Sequence, residues 1–166
     1  MTYQVAREIK LDPEKRWALS DKVFFACGAC HILAHEFLKQ FPELKFEPYW
    51  IRPTTTFRGN HVFVTDHATV FDWHGYSDKD KFLAHYFKRY QQKYPGWSAD
   101  LIPLSIDLTS REACLSIGMD TRGVDGYLKD PLPRARDYLK KFERQHRERY
   151  NNVLISERIS LPKYLG

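Results

Sequence analysis

Apolar and polar residues follow two periods along this chain, and the switches between them mark out the elements. From Cys30 the apolar positions fall at Cys30, Leu33, Ala34, Phe37, Leu38 and Phe41. That spacing predicts a helix with one face turned inward, and Pro42 stops it. Ahead of it, Lys22 to Ala26 is a short apolar run leading into Cys27-Gly-Ala-Cys30, while residues 1–20 are polar without an assignable period. Phe46 to Arg52 reads as a strand. Pro48 within it predicts an edge or bulged position, because proline donates no ladder hydrogen bond. Pro53 to Asn60 reads as loop. His61-Val-Phe-Val-Thr65 and Ala68-Thr-Val-Phe-Asp72 then flank Asp66-His67, the pattern of a β-hairpin on a two-residue turn.

Farther along, Ser77 with Asp80 resembles a capping box, followed by Phe82, Leu83, Tyr86, Phe87 and Tyr90 at helical spacing. Pro95-Gly96 breaks that helix, and Leu101 to Leu108 predicts another strand. Thr109 with Glu112 reads as a second capping box before a short helix carrying Cys114. Gly118 to Lys129 is loop-like, and a basic helix is expected from about Pro133 to Tyr150. The elements add up to the α+β class: a small antiparallel sheet with flanking helices. A length of 166 residues fits a single domain, residues 1–166, and the chain shows no repeat, low-complexity tract or Gly/Ser linker.

Composition narrows the function classes. The chain is 43% hydrophobic and 15% aromatic, enough apolar material for a packed core and against disorder. No stretch approaches the roughly 20 apolar residues of a membrane span, so no membrane partner is expected. The first residues, Met1-Thr-Tyr-Gln-Val-Ala-Arg-Glu, lack the pattern of a cleaved signal peptide. A cytoplasmic location is the expectation, and an effector exported without a cleaved signal would look the same. Three cysteines, at 27, 30 and 114, is an odd number; it argues for free thiols rather than a disulfide scaffold. The net charge is +5, and Arg134, Arg136, Lys140, Lys141, Arg144, Arg147 and Arg149 concentrate it in the last helix among Asp137, Glu143 and Glu148. We read this stretch as a solvated face laced with charge pairs, and no nucleic-acid partner is expected.

The candidate chemistry lies at Cys30, His61 and Asp72. Cys30 sits in the first turn of a predicted helix, where partial positive charge and unpaired N–H groups favour the thiolate. Backbone N–H groups there also suit an oxyanion. A thiol nucleophile further needs a base, and the base needs a group to orient it. With Asp66-His67 as the turn, Thr65 opposes Ala68, Phe63 opposes Val70 and His61 opposes Asp72. Opposed side chains lie about 4.5–5.5 Å apart on one sheet face, so Asp72 would hold the His61 tautomer that a general base requires.

On these residues the chain resembles transglutaminase-like proteins. Gly28-Ala-Cys30-His-Ile-Leu-Ala34 is similar to their nucleophile helix, and His61-Val-Phe-Val with Val70-Phe-Asp72 to their His-bearing and Asp-bearing strands. The order Cys, His, Asp, with a helix before a hairpin, is that of the wider papain-like class. The resemblance spans roughly residues 24–76. It departs at Asp72-Trp73-His74-Gly75, where many relatives carry a proline, and in lacking an oxyanion glutamine before the nucleophile. It implies thiol-mediated acyl chemistry on a protein or peptide substrate: peptide hydrolysis, glutamine deamidation or amide transfer. The intermediate would be a thioester, and the steps require neither cofactor nor metal.

Other patterns compete for the same residues. Cys27-Gly-Ala-Cys30 is a Cys-x-x-Cys pair and resembles a thiol–disulfide redox motif, although Pro53-Thr54 comes too soon to serve as its cis-proline. Adding His31 completes the c-type haem attachment pattern, which is set aside because such proteins mature after export. His31 and His35 share a helix face at metal-ligand spacing, with Cys27 or Glu36 as further candidates; ordinary histidines explain them better. A non-catalytic binding module on the same fold is the remaining alternative. Cys114, His67, His74 and His85 read as structural. Trp73 and Tyr76 would wall a cleft or, more simply, pack in the core, and Trp17 is an upstream candidate for assisting the thiol.

Overall fold

The structure, a computed structural model, describes residues 5–54 and 57–160, with side chains to Ser156. Two short helices, α1 (Arg7–Leu11) and α2 (Pro13–Trp17), occupy the stretch without a period. Capping rather than amphipathicity makes α2. The Asp12 carboxylate accepts the N–H groups of Glu14 and Lys15 at 3.0 Å each, and Pro13 fills the first helical position, where its missing N–H costs nothing. The apolar run before Cys27 forms α3 (Asp21–Ala26), and α4 (Cys30–Gln40) carries the expected inward face.

Five strands follow: β1 (Glu47–Pro53), β2 (His61–Thr65), β3 (Thr69–Asp72), β4 (Gly75–Asp78) and β5 (Ala99–Pro103). They form one open antiparallel sheet in the order β4-β3-β2-β1-β5. The α+β class with a small antiparallel sheet and flanking helices is therefore the observed one. Several details differ from expectation. β1 is interior, paired with both β2 and β5. Pro48 is tolerated there because it lies at the end of the β5 pairing, where its carbonyl still accepts Leu104 N–H at 2.9 Å. β5 is the edge strand and stops at Pro103. β4 carries too few apolar residues to announce itself.

The hairpin register differs as well. Thr65 pairs with Val70 and Val64 with Phe71. The turn lies at His67-Ala68, where His67 takes φ +76 and the Asp66 carboxylate accepts Ala68 and Thr69 N–H at 3.1 and 2.6 Å. Continuing this register sets Asp72 opposite Phe63 and diagonal to His61. A shift of two residues keeps every side chain on its face, whereas a shift of one would have separated His61 from Asp72.

The helices that follow are α5 (Lys79–Lys93), α6 (Arg111–Ser116), α7 (Pro131–Leu139) and α8 (Glu143–Ser160). The cap residues differ too, since both expected capping boxes shift by one. Asp78 rather than Ser77 accepts Lys81 N–H (2.9 Å), and Ser110 rather than Thr109 accepts Ala113 N–H (3.1 Å). The single basic helix is two, joined by a 3-10 turn at Lys140–Phe142. Its cations meet acids: Arg134 and Lys141 on Asp21, Arg136 on Glu36, Arg144 on Glu148 and Arg147 on Glu143. No helix among the described residues is long and apolar enough to cross a membrane.

The sheet divides the apolar residues into two clusters. Trp50, Val62, Val64 and Phe71 pack with α4 and α7, and Phe37 stacks on Phe71 at 4.6 Å between ring centres. Ile51, Phe63 and Val70 pack on the other face with Trp97 and the α5 side chains Phe82, Leu83, Tyr86 and Phe87. Fully burying one such side chain contributes about 1.5–3 kcal/mol; Ile32, Leu33 and Phe37 of α4 are fully buried, whereas the α5 side chains are half-buried and contribute less.

The segment entering β2 is stapled to this second face. Trp97 Nε1 donates to Arg58 O at 2.8 Å, and the Tyr86 hydroxyl donates to Gly59 O at 2.9 Å. Gly59 has φ +117, and a Cβ there would lie 2.8 Å from the Tyr90 ring and 3.2 Å from Trp97. Both the conformation and the space require glycine. Gly59→Ala is expected to lower stability by about 2 kcal/mol, read as a drop in the denaturant midpoint.

Candidate active site

Three elements converge on one point. α4 begins at Cys30, and its N-cap residue, Ala29, supplies no capping side chain. The positive end of the helix is thus left to the thiol. β2 begins one residue before Val62, whose N–H donates to Cys30 Sγ at 3.4 Å. That same strand start places His61 beside the thiol and, on the α5 face, over Asp72.

His61 Nε2 lies 3.0 Å from Asp72 Oδ2, and both residues are buried, at 3% and 5% exposure. The second oxygen of Asp72 accepts His74 N–H at 2.8 Å, which fixes the carboxylate. A carboxylate accepts, so Nε2 carries the hydrogen, and Nδ1 is the nitrogen left for the Cys30 thiol, with which the ring interacts electrostatically. Tyr86 holds the ring plane, stacking on it at 5.7 Å and 15°. The structure brings together the three residues that the sequence singles out.

Their ionisation follows from this packing. Burial alone would raise the Cys30 thiol, but the neighbouring His31 and His61 rings outweigh it and hold the thiol down to about 5. Burial alone would lower His61, but its bonds to Asp72 and Cys30 outweigh that and push it up to about 10. The two shifts have one origin: each charge stabilises the other, and the pair titrates as a unit. Both shifts favour the thiolate–imidazolium form of the pair. Burial raises the other two thiols, Cys27 at the C-terminus of α3 and Cys114 in the core. Cys30 alone of the three is lowered.

Two residues near the thiol have partners that the sequence does not reveal: His31, which it sets among ordinary histidines, and Asn60, which it leaves in a loop. His31 is 1% exposed, and its Nε2 donates to Arg122 O at 2.8 Å. That bond ties the start of α4 to the loop after α6, while Nδ1 stays buried without a hydrogen bond of good geometry. Asn60 precedes His61, and its Oδ1 accepts Trp50 Nε1–H at 2.9 Å. An indole only donates, so the Asn60 oxygen is fixed toward Trp50 and its NH2 group is left as a donor. Its position next to the His-bearing strand was the available signal.

A cleft of about 460 Å³ opens over these atoms, lined by Cys30, His61, Asn60, Trp50 and Tyr90 among others. Trp73 and Tyr76 belong instead to the core, where Tyr138 donates to Trp73 O at 2.6 Å and Tyr76 meets His146 at 2.7 Å. Trp17 packs edge-on against Phe24. Among the described residues no three His, Cys, Asp or Glu side chains converge as metal ligands would.

Set against known proteins, the chain matches no family model, no curated protein and no solved structure.

The lowered thiol gives a direct expectation for pH. Alkylation of Cys30 by iodoacetamide, read by peptide mass spectrometry, should persist through the mildly acidic range and fall only as pH approaches about 5. His61→Ala should move the inflection back toward about 8.5, the ordinary thiol value.

Proposed function

We propose that this protein is a thiol-dependent acyl-transfer enzyme acting on an amide or ester carbonyl of a protein or peptide. One observation carries the reading: the buried His61 ring is held between a carboxylate and a helix-terminal thiol at the wall of an open cleft. Structural histidines have no need of both partners. The likeness of the Cys30, His61 and Asp72 segments to transglutaminase-like motifs supports the same chemistry.

In this mechanism the Cys30 thiolate adds to the carbonyl carbon and forms a C–S bond. Charge moves to the carbonyl oxygen, for which the uncapped first turn of α4 and the NH2 group of the cleft residue Asn60 are the available donors. Collapse expels the amine or alcohol, which takes the proton from His61 Nδ1, and a thioester remains. His61 then removes a proton from water or an acceptor amine as it attacks the thioester, and Cys30 departs as thiolate. Asp72 keeps the ring oriented through both proton transfers and stabilises the imidazolium.

The test uses p-nitrophenyl acetate as a minimal acyl donor. Wild type should release a burst of nitrophenolate and carry one acetyl group on Cys30, removable by hydroxylamine. Acylation should vanish in Cys30→Ala, fall roughly a hundredfold or more in His61→Ala, fall less in Asp72→Asn, and be unchanged in Cys27→Ser. Acetylation that ignores His61, or that requires Cys27, would contradict the proposal.

A further inference from the structure

The cleft over Cys30 is not electrically neutral. Arg7, Lys10, Arg58 and Arg122 line it, against a single carboxylate, Asp120. Asp120 is already engaged by Arg111 at 3.2 Å. Arg7 and Arg58 are exposed and form no ion pair with any described residue. Lys10 faces the Cys27 side of the cleft, where its charge acts on that thiol. Arg122 is held by the nucleophile helix itself: its carbonyl accepts His31 Nε2–H at 2.8 Å. Its guanidinium donates to Lys10 O at 3.0 Å and reaches the turn at Gly28. The four cations come from α1, the segment before β2 and the loop after α6, three places far apart in the sequence.

This distribution contrasts with the rest of the surface. In the basic C-terminal helices, Arg144 and Arg147 pair with acids one turn away on their own helix, and Arg134, Arg136 and Lys141 pair with acids on other elements. Around the thiol, cations gather and acids do not. A concave, partly desolvated site lined by one sign of charge concentrates ligands of the opposite sign. Within it, an anion near the reacting carbon would meet two guanidinium groups that form no ion pair with any described residue.

We infer that the acyl donor of this site carries a negatively charged group close to the reacting carbon, received by Arg58, Arg7 and Arg122 at the rim of the Cys30 cleft. This rests on the assignment of Cys30 as nucleophile and names the class of substrate that the nucleophile meets: an acidic peptide segment or another carboxylate-bearing acyl compound, in preference to a neutral one. A cationic donor is disfavoured by the same charges.

Two small reagents separate charge from reactivity. Iodoacetate and iodoacetamide alkylate the same sulfur by displacement of iodide, and they differ in one carboxylate. Cys30 alkylation by each is measured in wild type, Arg58→Glu and Arg7→Glu, with glutathione as the free-thiol reference and circular dichroism as the folding control. Wild type should show an iodoacetate-to-iodoacetamide rate ratio above that of glutathione, and each reversal should cut the ratio about tenfold. Raising salt from about 20 to about 500 mM should compress the wild-type ratio as well, a readout that needs no variant. A ratio equal to that of glutathione and unmoved by both reversal and salt overturns the inference while leaving the nucleophile in place. Inertness of Cys30 to both reagents at neutral pH removes the nucleophile assignment, and this inference with it.

Discussion

A buried imidazole cannot hold a charge alone, and the architecture around His61 is arranged so that it does not have to. Its ring is enclosed by β2, β3 and α5, where an unpaired cation would be costly and a neutral ring would leave Asp72 unpaired. The 3.0 Å contact with Asp72 on one side and the Cys30 thiol on the other resolves both problems at once. Removing either partner strands a charge in the interior. The separate features of the fold make sense as ways of keeping these three groups in reach of each other.

Each supporting element has an identifiable part in this. Phe37 on Phe71 fixes α4 to the sheet, and so fixes Cys30 against the start of β2. Tyr86 fixes both the plane of the His61 ring and, through Gly59, the segment that delivers it. Trp50 orients Asn60, and Arg122 anchors His31 behind the thiol. Tryptophan and tyrosine suit these tasks because a large apolar body packs in the core while one polar atom makes a directed bond. The high aromatic content thus serves positioning as well as burial.

Much of this was legible in the sequence where a period and a stop signal coincide. α4 declares itself through its apolar spacing and Pro42, and the face shared by His61 and Asp72 follows from strand alternation. That inference survived a wrong turn, since Asp66 caps the turn rather than occupying its centre and the register moves by two residues. The short elements were not legible. α2 depends on one cap at Asp12, and β4 has no alternation to detect. Pro48 suggested an edge strand, yet what matters is which side of the strand lacks a donor, and only the pairing with β5 reveals that. Asn60 and His31 gain their meaning from Trp50 and Arg122, partners that the sequence does not place beside them.

The central claim is that Cys30 and His61 exist at neutral pH as a thiolate and an imidazolium. The most direct measurement is the ultraviolet thiolate band in the difference spectrum of wild type minus Cys30→Ala, followed as a function of pH. The account predicts a band fully present at neutral pH and lost only on acidification toward about 5. A band that is absent at neutral pH and emerges only around the ordinary thiol value of about 8.5 would contradict it.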